Sequence, residues 1–291
     1  MERLKQITVI GTGLLGGSIT LAVLRCFSGI KTVAYSHRPV TRRKARQLAV
    51  ADEIVDDICR GVSCADLVIL AAPVCTFEKI FSQIAPALPA GCIVTDVGST
   101  KVLPHRWAAK ILPPAIHYVG SHPIAGSEQR GVEFARDDLF DKALCILTTT
   151  KKTNRRAVQT LKNFWSRLGC TVKLMNPSGH DRIFANISHL PHIVAASLIN
   201  ANTSETLKYA GKGFVDASRI ASGPANIWAD ILVTNAENSI RSIDKITAEL
   251  LKMRKAIKAR DKKQIEKLLT RARLKRARLM EYKIKSKEIL S

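Results

Sequence analysis

The chain has 291 residues, room for one large domain or two ordinary ones, and 46% hydrophobic residues with only 5% aromatics, which implies a largely aliphatic core. Seven scattered cysteines without a CxxC pair exclude a disulfide framework and a structural zinc site; no apolar run is long enough to cross a bilayer, no signal peptide precedes the first strand-like segment, and the expected compartment is the cytoplasm. The net charge of +22 is concentrated between residues 252 and 287, where aliphatic residues interrupt the basic run in the pattern of a helix with one buried stripe and a solvated basic face, not of a specific nucleic-acid interface.

Short apolar runs predict strands over 7–10, 32–35, 67–71, 93–95, 118–120, 143–148 and 171–174. Helical periodicity intervenes over 14–27, 40–50, 77–88 and 157–168. This alternation implies βαβ units: an α/β, Rossmann-type, doubly wound and mainly parallel sheet. After residue 175 no convincing strand remains, and helices are expected over 181–201, 227–245 and 248–287, with Pro191 kinking or restarting the first. The expected organisation is therefore a dinucleotide-binding domain over 1–175 and an all-α domain over 176–291.

The first strand runs directly into Gly11-Thr12-Gly13-Leu14-Leu15-Gly16, a GxGxxG that opens a helix. Gly11 permits the tight turn, Gly13 lets the backbone approach a pyrophosphate, and Gly16 lets the helix pack closely on the sheet. The setting after the first strand of a βαβ pattern makes the motif far more specific than its letters alone. The second strand ends Tyr35-Ser36-His37-Arg38 with no acid to hold a ribose 2′-hydroxyl. Ser36 can hydrogen-bond a 2′-phosphate, Arg38 can pair with it, and Arg42 and Arg43 follow a turn later, so NADP is favoured over NAD. Ala72 and Pro73, after the next strong strand, should line the cofactor at the carboxyl end of the sheet.

Four further segments carry candidate chemistry: DVGSTK (96–101) and SHPIAGSE (121–128), each expected at the carboxyl end of a strand, then ISHLPH (187–192) and DASRIASGPANIW (216–228) in the helical half. Together with GTGLLGGS (11–18) they resemble the prephenate/arogenate dehydrogenase family of tyrosine biosynthesis, over most of the chain and in the family's order. That resemblance implies oxidative decarboxylation of prephenate, or of its amino counterpart arogenate, and a homodimer formed through the helical domain.

The reaction draws a proton from a ring hydroxyl while hydride leaves the same carbon and the ring carboxylate departs as CO₂, so a neutral imidazole suits the acceptor role. By resemblance His122 is the catalytic histidine and Ser99 helps orient the same hydroxyl. Ser188, His189, His192, Ser127 and Glu128 fall on the substrate side, and Arg219 matches a substrate-carboxylate partner, a task suited to a guanidinium. His189 and His192 share a helix face with His180 and Asp181 nearby, yet the spacing is a poor metal signal and none is expected. After SRIASG many family members carry an acid; here Gly223-Pro224-Ala225-Asn226 leans toward prephenate, while the NADP signal leans toward arogenate. Two other readings compete: a β-hydroxyacid dehydrogenase with Lys208 or Lys212 as catalytic lysine, and a dinucleotide-regulated nucleic-acid binder. Neither explains SHPIAGSE or the histidine pair.

Overall fold

The computed structural model describes residues 4–125 and 129–285. Strand β1 (Gln6–Ile10) is buried along its whole length, helix α1 (Leu14–Cys26) follows the glycine turn, and β2 (Lys31–Tyr35) lies parallel to β1 with Ile10 opposite Tyr35. Then come α2 (Pro39–Gln47), β3 (Glu53–Val55), α3 (Ile58–Val62), β4 (Leu67–Leu70), α4 (Phe77–Ile84), β5 (Ile93–Asp96), α5 (Val102–Ile111) and β6 (His117–Tyr118). The six strands form a parallel sheet in the order β3-β2-β1-β4-β5-β6. This is the dinucleotide-binding order, with its switch point between β1 and β4. Side chains alternate between the faces: Leu67 and Ile69 join one core with Ile7 and Val9, while Val68 and Leu70 join the other with Phe77 and Phe81.

Two details depart from the sequence expectation. No strand is expected at Glu53–Val55, yet these residues pair with Val33, Ala34 and Tyr35 as the sheet edge. The single strand expected over 118–120 is two: β6 closes the parallel sheet, and after Val119 the chain enters β7 (Gly120–Ile124) in a second sheet. There β7 runs antiparallel to β8 (Leu144–Thr148), which pairs in parallel with β9 (Thr171–Met175) across α6 (Arg155–Arg167). Ser121 joins the sheets, since its buried hydroxyl bonds Thr95 Oγ1 at 2.7 Å and accepts Trp165 Nε1–H at 3.1 Å. His122 therefore sits within a strand, not in the loop beyond one.

Among the described residues, everything after Met175 is helix, turn or loop. Helix α7 (Pro177–Phe184) passes through a π-helical turn, Ala185–His189, into α8 (Leu190–Asn200). Pro191 occupies the first turn of α8 and has no N–H to donate backward, so the expected restart takes the form of a π turn. Next are α9 (Ser204–Leu207), α10 (Lys212–Ser218), a 3₁₀ turn at Arg219–Ser222, α11 (Ala225–Thr234), α12 (Ala236–Lys258) and α13 (Lys262–Lys285). The breaks fall at Asn235 and near Arg260, so the gap expected between 245 and 248 is continuous helix.

Contacts gather the chain into two compact units, Met1–Ala236 and Glu237–Ser291. In the second, Arg271 pairs with Glu249 across the helices. Of the apolar stripe expected to be buried there, Ile265 and Leu268 are half-buried, whereas Ile257, Leu269, Leu279 and Ile284 are at least half exposed among the described residues, as is Leu274. No helix among the described residues is long and apolar enough to cross a membrane.

Candidate active site

The glycine turn is shaped by close approach on one side and open space on the other. Gly11 has φ +107°, and a Cβ there would meet the Ala71 carbonyl oxygen at 2.5 Å. A Cβ on Gly16 would penetrate the Gly11 carbonyl, whereas one on Gly13 would meet nothing within 4 Å. Gly13 caps α1 with no side-chain hydrogen bond, which leaves the first-turn N–H groups around Leu14 and Leu15 for a ligand. The Thr12 hydroxyl beside it is buried and has no partner among the described residues. An unfilled space, uncapped helix N–H groups and an orphaned hydroxyl fit a bound dinucleotide pyrophosphate.

At the end of β2, Ser36 is buried while His37 and Arg38 are exposed. Arg42 donates to the Ser36 carbonyl at 2.7 Å and the His37 carbonyl at 3.1 Å, so it braces this loop from within. Arg38 precedes α2 and makes no side-chain capping bond. Ala72 is half-buried and Pro73 exposed at the end of β4.

The reacting-side residues are organised by Asp181, which sequence reasoning weighed only as a metal ligand. Its buried carboxylate accepts the backbone N–H groups of Lys101 (2.8 Å) and Val102 (2.9 Å) at the start of α5. It also bonds His180 Nδ1 at 2.8 Å, and His180 Nε2 in turn lies 2.8 Å from His122 Nδ1. Phe184 stacks on His180 at 4.4 Å between centroids and leans on His122 at 4.8 Å. Lys101, fully buried, pairs with Asp96 and donates to the Ser121 carbonyl at 2.6 Å, next to His122 in the chain. Thr100 Oγ1 bonds Thr234 Oγ1 at 2.9 Å, which fixes the Ser99 loop to α11. Ser99 itself is half-buried.

Burial is the first cause that lowers each of these histidines. Desolvation, then the neighbouring His180, Lys101 and His189, push His122 well below an ordinary imidazole. Burial first and Lys101 second push His180 down to about 2. His189 falls to about 4 by burial, with Asp181 opposing. Burial raises Asp181 itself.

The second histidine pair is split by function. His189 is buried at the end of the π turn, where Asn235 Nδ2 bonds both the Asp181 carbonyl (2.8 Å) and His189 Nδ1 (3.3 Å). An amide N–H toward Nδ1 leaves the proton on His189 Nε2, which is buried and without a partner among the described residues. His192 leaves its buried Nδ1 unpaired among the described residues. Two buried imidazole nitrogens are thus left unfilled on neighbouring turns, a natural fit for a polar ligand. Ser188 is half-buried beside them. Arg219 opens the 3₁₀ turn that packs on α8, and its side chain is exposed. Ser127 and Glu128 lie outside the described residues. Among the described residues no group of three or more His, Cys, Asp or Glu side chains is arranged to hold a metal ion.

The family descriptions "Prephenate dehydrogenase, nucleotide-binding domain" and "Prephenate dehydrogenase, dimerization domain" match residues 21–174 and 176–271. A prephenate dehydrogenase from Bacillus subtilis is 36% identical over 90% of this chain and 72% of its own length. A cyclohexadienyl dehydrogenase from Zymomonas mobilis is 33% identical over 90% of this chain and 91% of its own. The crystal structure of prephenate dehydrogenase from Aquifex aeolicus, in complex with hydroxyphenyl propionate and NAD+, superposes with a TM-score of 0.89 at 32% identity, covering 95% of this chain and 99% of that one.

Proposed function

The chain belongs to the prephenate/arogenate dehydrogenase family, and we propose that its His122 accepts the ring-hydroxyl proton as prephenate is oxidatively decarboxylated to 4-hydroxyphenylpyruvate in tyrosine biosynthesis. The observation that carries this reading is the placement of His122: its Nδ1 lies 2.8 Å from His180 Nε2, no hydrogen bond reaches its Nε2 among the described residues, and burial favours the neutral ring. A neutral imidazole nitrogen is the proton acceptor such a hydroxyl requires near neutral pH. The O–H bond breaks as the N–H bond forms at His122 Nε2, and Ser99 orients the hydroxyl.

The nicotinamide cofactor would be held by Gly11 to Gly16, with Ala72 and Pro73 along its length. When bound it supplies the hydride acceptor. Ser36 and Arg38 at the end of β2 favour NADP, since no acid is present there to hold a free 2′-hydroxyl. His189 Nε2–H and His192 Nδ1 are open to the substrate's polar groups, with Ser188 beside them. Arg219, Ser127 and Glu128 remain assigned to the substrate side on the family resemblance. The division into a cofactor domain over 1–175 and a helical domain over 176–291 is supported by the last strand ending at Met175. A homodimer is supported by the uncovered leucines of α13, and a cytoplasmic location by the aromatic-pathway chemistry.

The test is cofactor reduction by the purified protein with prephenate or arogenate, each with NADP or NAD. Turnover of prephenate with NADP preferred is expected. Arogenate turnover alone would reassign the substrate, and no turnover in any combination from a folded, NADP-binding protein would favour the β-hydroxyacid reading.

A further inference from the structure

Three side chains form a single hydrogen-bonded line from the start of α5 to the edge of His122: Asp181, His180 and His122, with 2.8 Å at both links. The line has a direction. Both carboxylate oxygens of Asp181 accept from backbone N–H groups, Oδ1 from Lys101 and Oδ2 from Val102. A carboxylate so engaged is an acceptor, so His180 carries its proton on Nδ1. His180 is neutral, and its Nε2 is then a lone pair. The only partner that satisfies that lone pair is a proton on His122 Nδ1. Nε2 of His122 is consequently unprotonated.

We propose that His180 and Asp181 are positioning residues that fix His122 in its Nδ1–H tautomer, and so make Nε2 the acceptor for the substrate proton. This rests on the proposed role of His122. A free imidazole favours the opposite tautomer, with the proton on Nε2, and in that form His122 would present a donor to the hydroxyl instead of an acceptor. As the proton arrives at Nε2, the imidazolium formed keeps its Nδ1 proton directed at His180, whose own proton points at the Asp181 carboxylate. Charge is stabilised along the line without a second transfer.

Among the described residues, the charged and titratable groups acting on the line come from several elements. Lys101 comes from the loop before α5, His105 from α5 itself and His189 from the π turn, and each disfavours a proton on one or both histidines. Asp181, from α7, is the carboxylate at the end of the line. Asp96 neutralises Lys101. The network therefore selects the tautomer without raising the basicity of the resting ring.

The measurement is the ¹⁵N spectrum of histidine-labelled full-length protein, with His122 assigned by difference from His122→Asn. The wild type should show His122 protonated at Nδ1 and not at Nε2. In His180→Leu the Nε2–H form should dominate, and kcat should fall about 100-fold with KM for prephenate within about threefold. In His180→Gln the amide oxygen replaces Nε2 as acceptor, and both the tautomer and kcat should return to within about tenfold of wild type. An Nε2–H tautomer in the wild type, or a His180→Leu variant that keeps both its Nδ1–H signal and its kcat, would overturn the proposal. The spectrum needs no substrate. Failure of prephenate turnover in the wild type would remove the proposed function while leaving the tautomer result to be read separately.

Discussion

The imidazole of His192 lies flat on the indole of Trp228, with centroids 3.7 Å apart and planes within 8°. The stack exists because Gly223 has no side chain: a Cβ there would penetrate the indole edge at Nε1 and reach His192 Cε1 at 3.0 Å. Gly223→Ala must separate the rings or shift the 3₁₀ turn, at a cost of about 1–3 kcal/mol. With His192 displaced, KM for prephenate should rise about tenfold or more while NADP affinity is kept. Steady-state kinetics and a cofactor titration on the same preparation check this, and an unchanged KM would contradict it.

The glycines of the dinucleotide turn should separate stability from binding. Gly13→Ala adds a methyl to empty space, so the melting temperature should stay close to wild type while NADP affinity falls about tenfold or more. Gly16→Ala drives a Cβ into the Gly11 carbonyl and should destabilise the fold by several kcal/mol. Thermal unfolding without cofactor distinguishes the two, and equal destabilisation would count against the pyrophosphate space at Gly13.

Arg38 and Arg42 are four residues apart and should behave differently. If the proposed NADP preference holds, Arg38→Ala should weaken NADP about 10- to 100-fold and leave NAD within about twofold. Arg42 holds the Ser36 and His37 carbonyls, so Arg42→Ala should weaken both cofactors alike and lower the melting temperature. Parallel titrations with NADP and NAD read this directly; equal loss of both in Arg38→Ala would refute the assigned preference.

Stability should fall on mild acidification. His105 and His189, held at about 4, and His180, at about 2, are all depressed first by burial. Between those values and the ordinary ~6.5 the unfolded chain binds more protons than the folded one. Stability therefore rises with pH across that window and is lost as pH drops below about 6.5, by at most about 1.4 kcal/mol per pH unit for each histidine. Asp181, raised by burial, acts in the opposite sense just above its ordinary range. Urea midpoints at pH 7, 6 and 5 should decline progressively, and a flat series would contradict the neutral assignment of the three rings.

The first βαβ unit was legible because its signals are local: an apolar run, glycines at fixed offsets and a helix behind them. Strand β3 was not, since three residues flanked by Asp52 and Asp56 show no alternation, and their strand form comes from pairing with β2. The split at Val119 was invisible for a similar reason, because an apolar run does not say which sheet it joins. His122 was legible through its motif. Its partner was not, because His180 lies 58 residues away and no spacing rule links a strand residue to a helix residue of a later segment. Asp181 and Trp228 were missed in the same way: each acts through a contact made only when α7 or α11 packs.

The role of His122 is tested most directly by His122→Asn, assayed for prephenate-dependent NADP reduction beside a cofactor titration. The account predicts a loss of about 100- to 10,000-fold in kcat with NADP affinity unchanged and the fold intact. Turnover within a few-fold of wild type in that variant would contradict it.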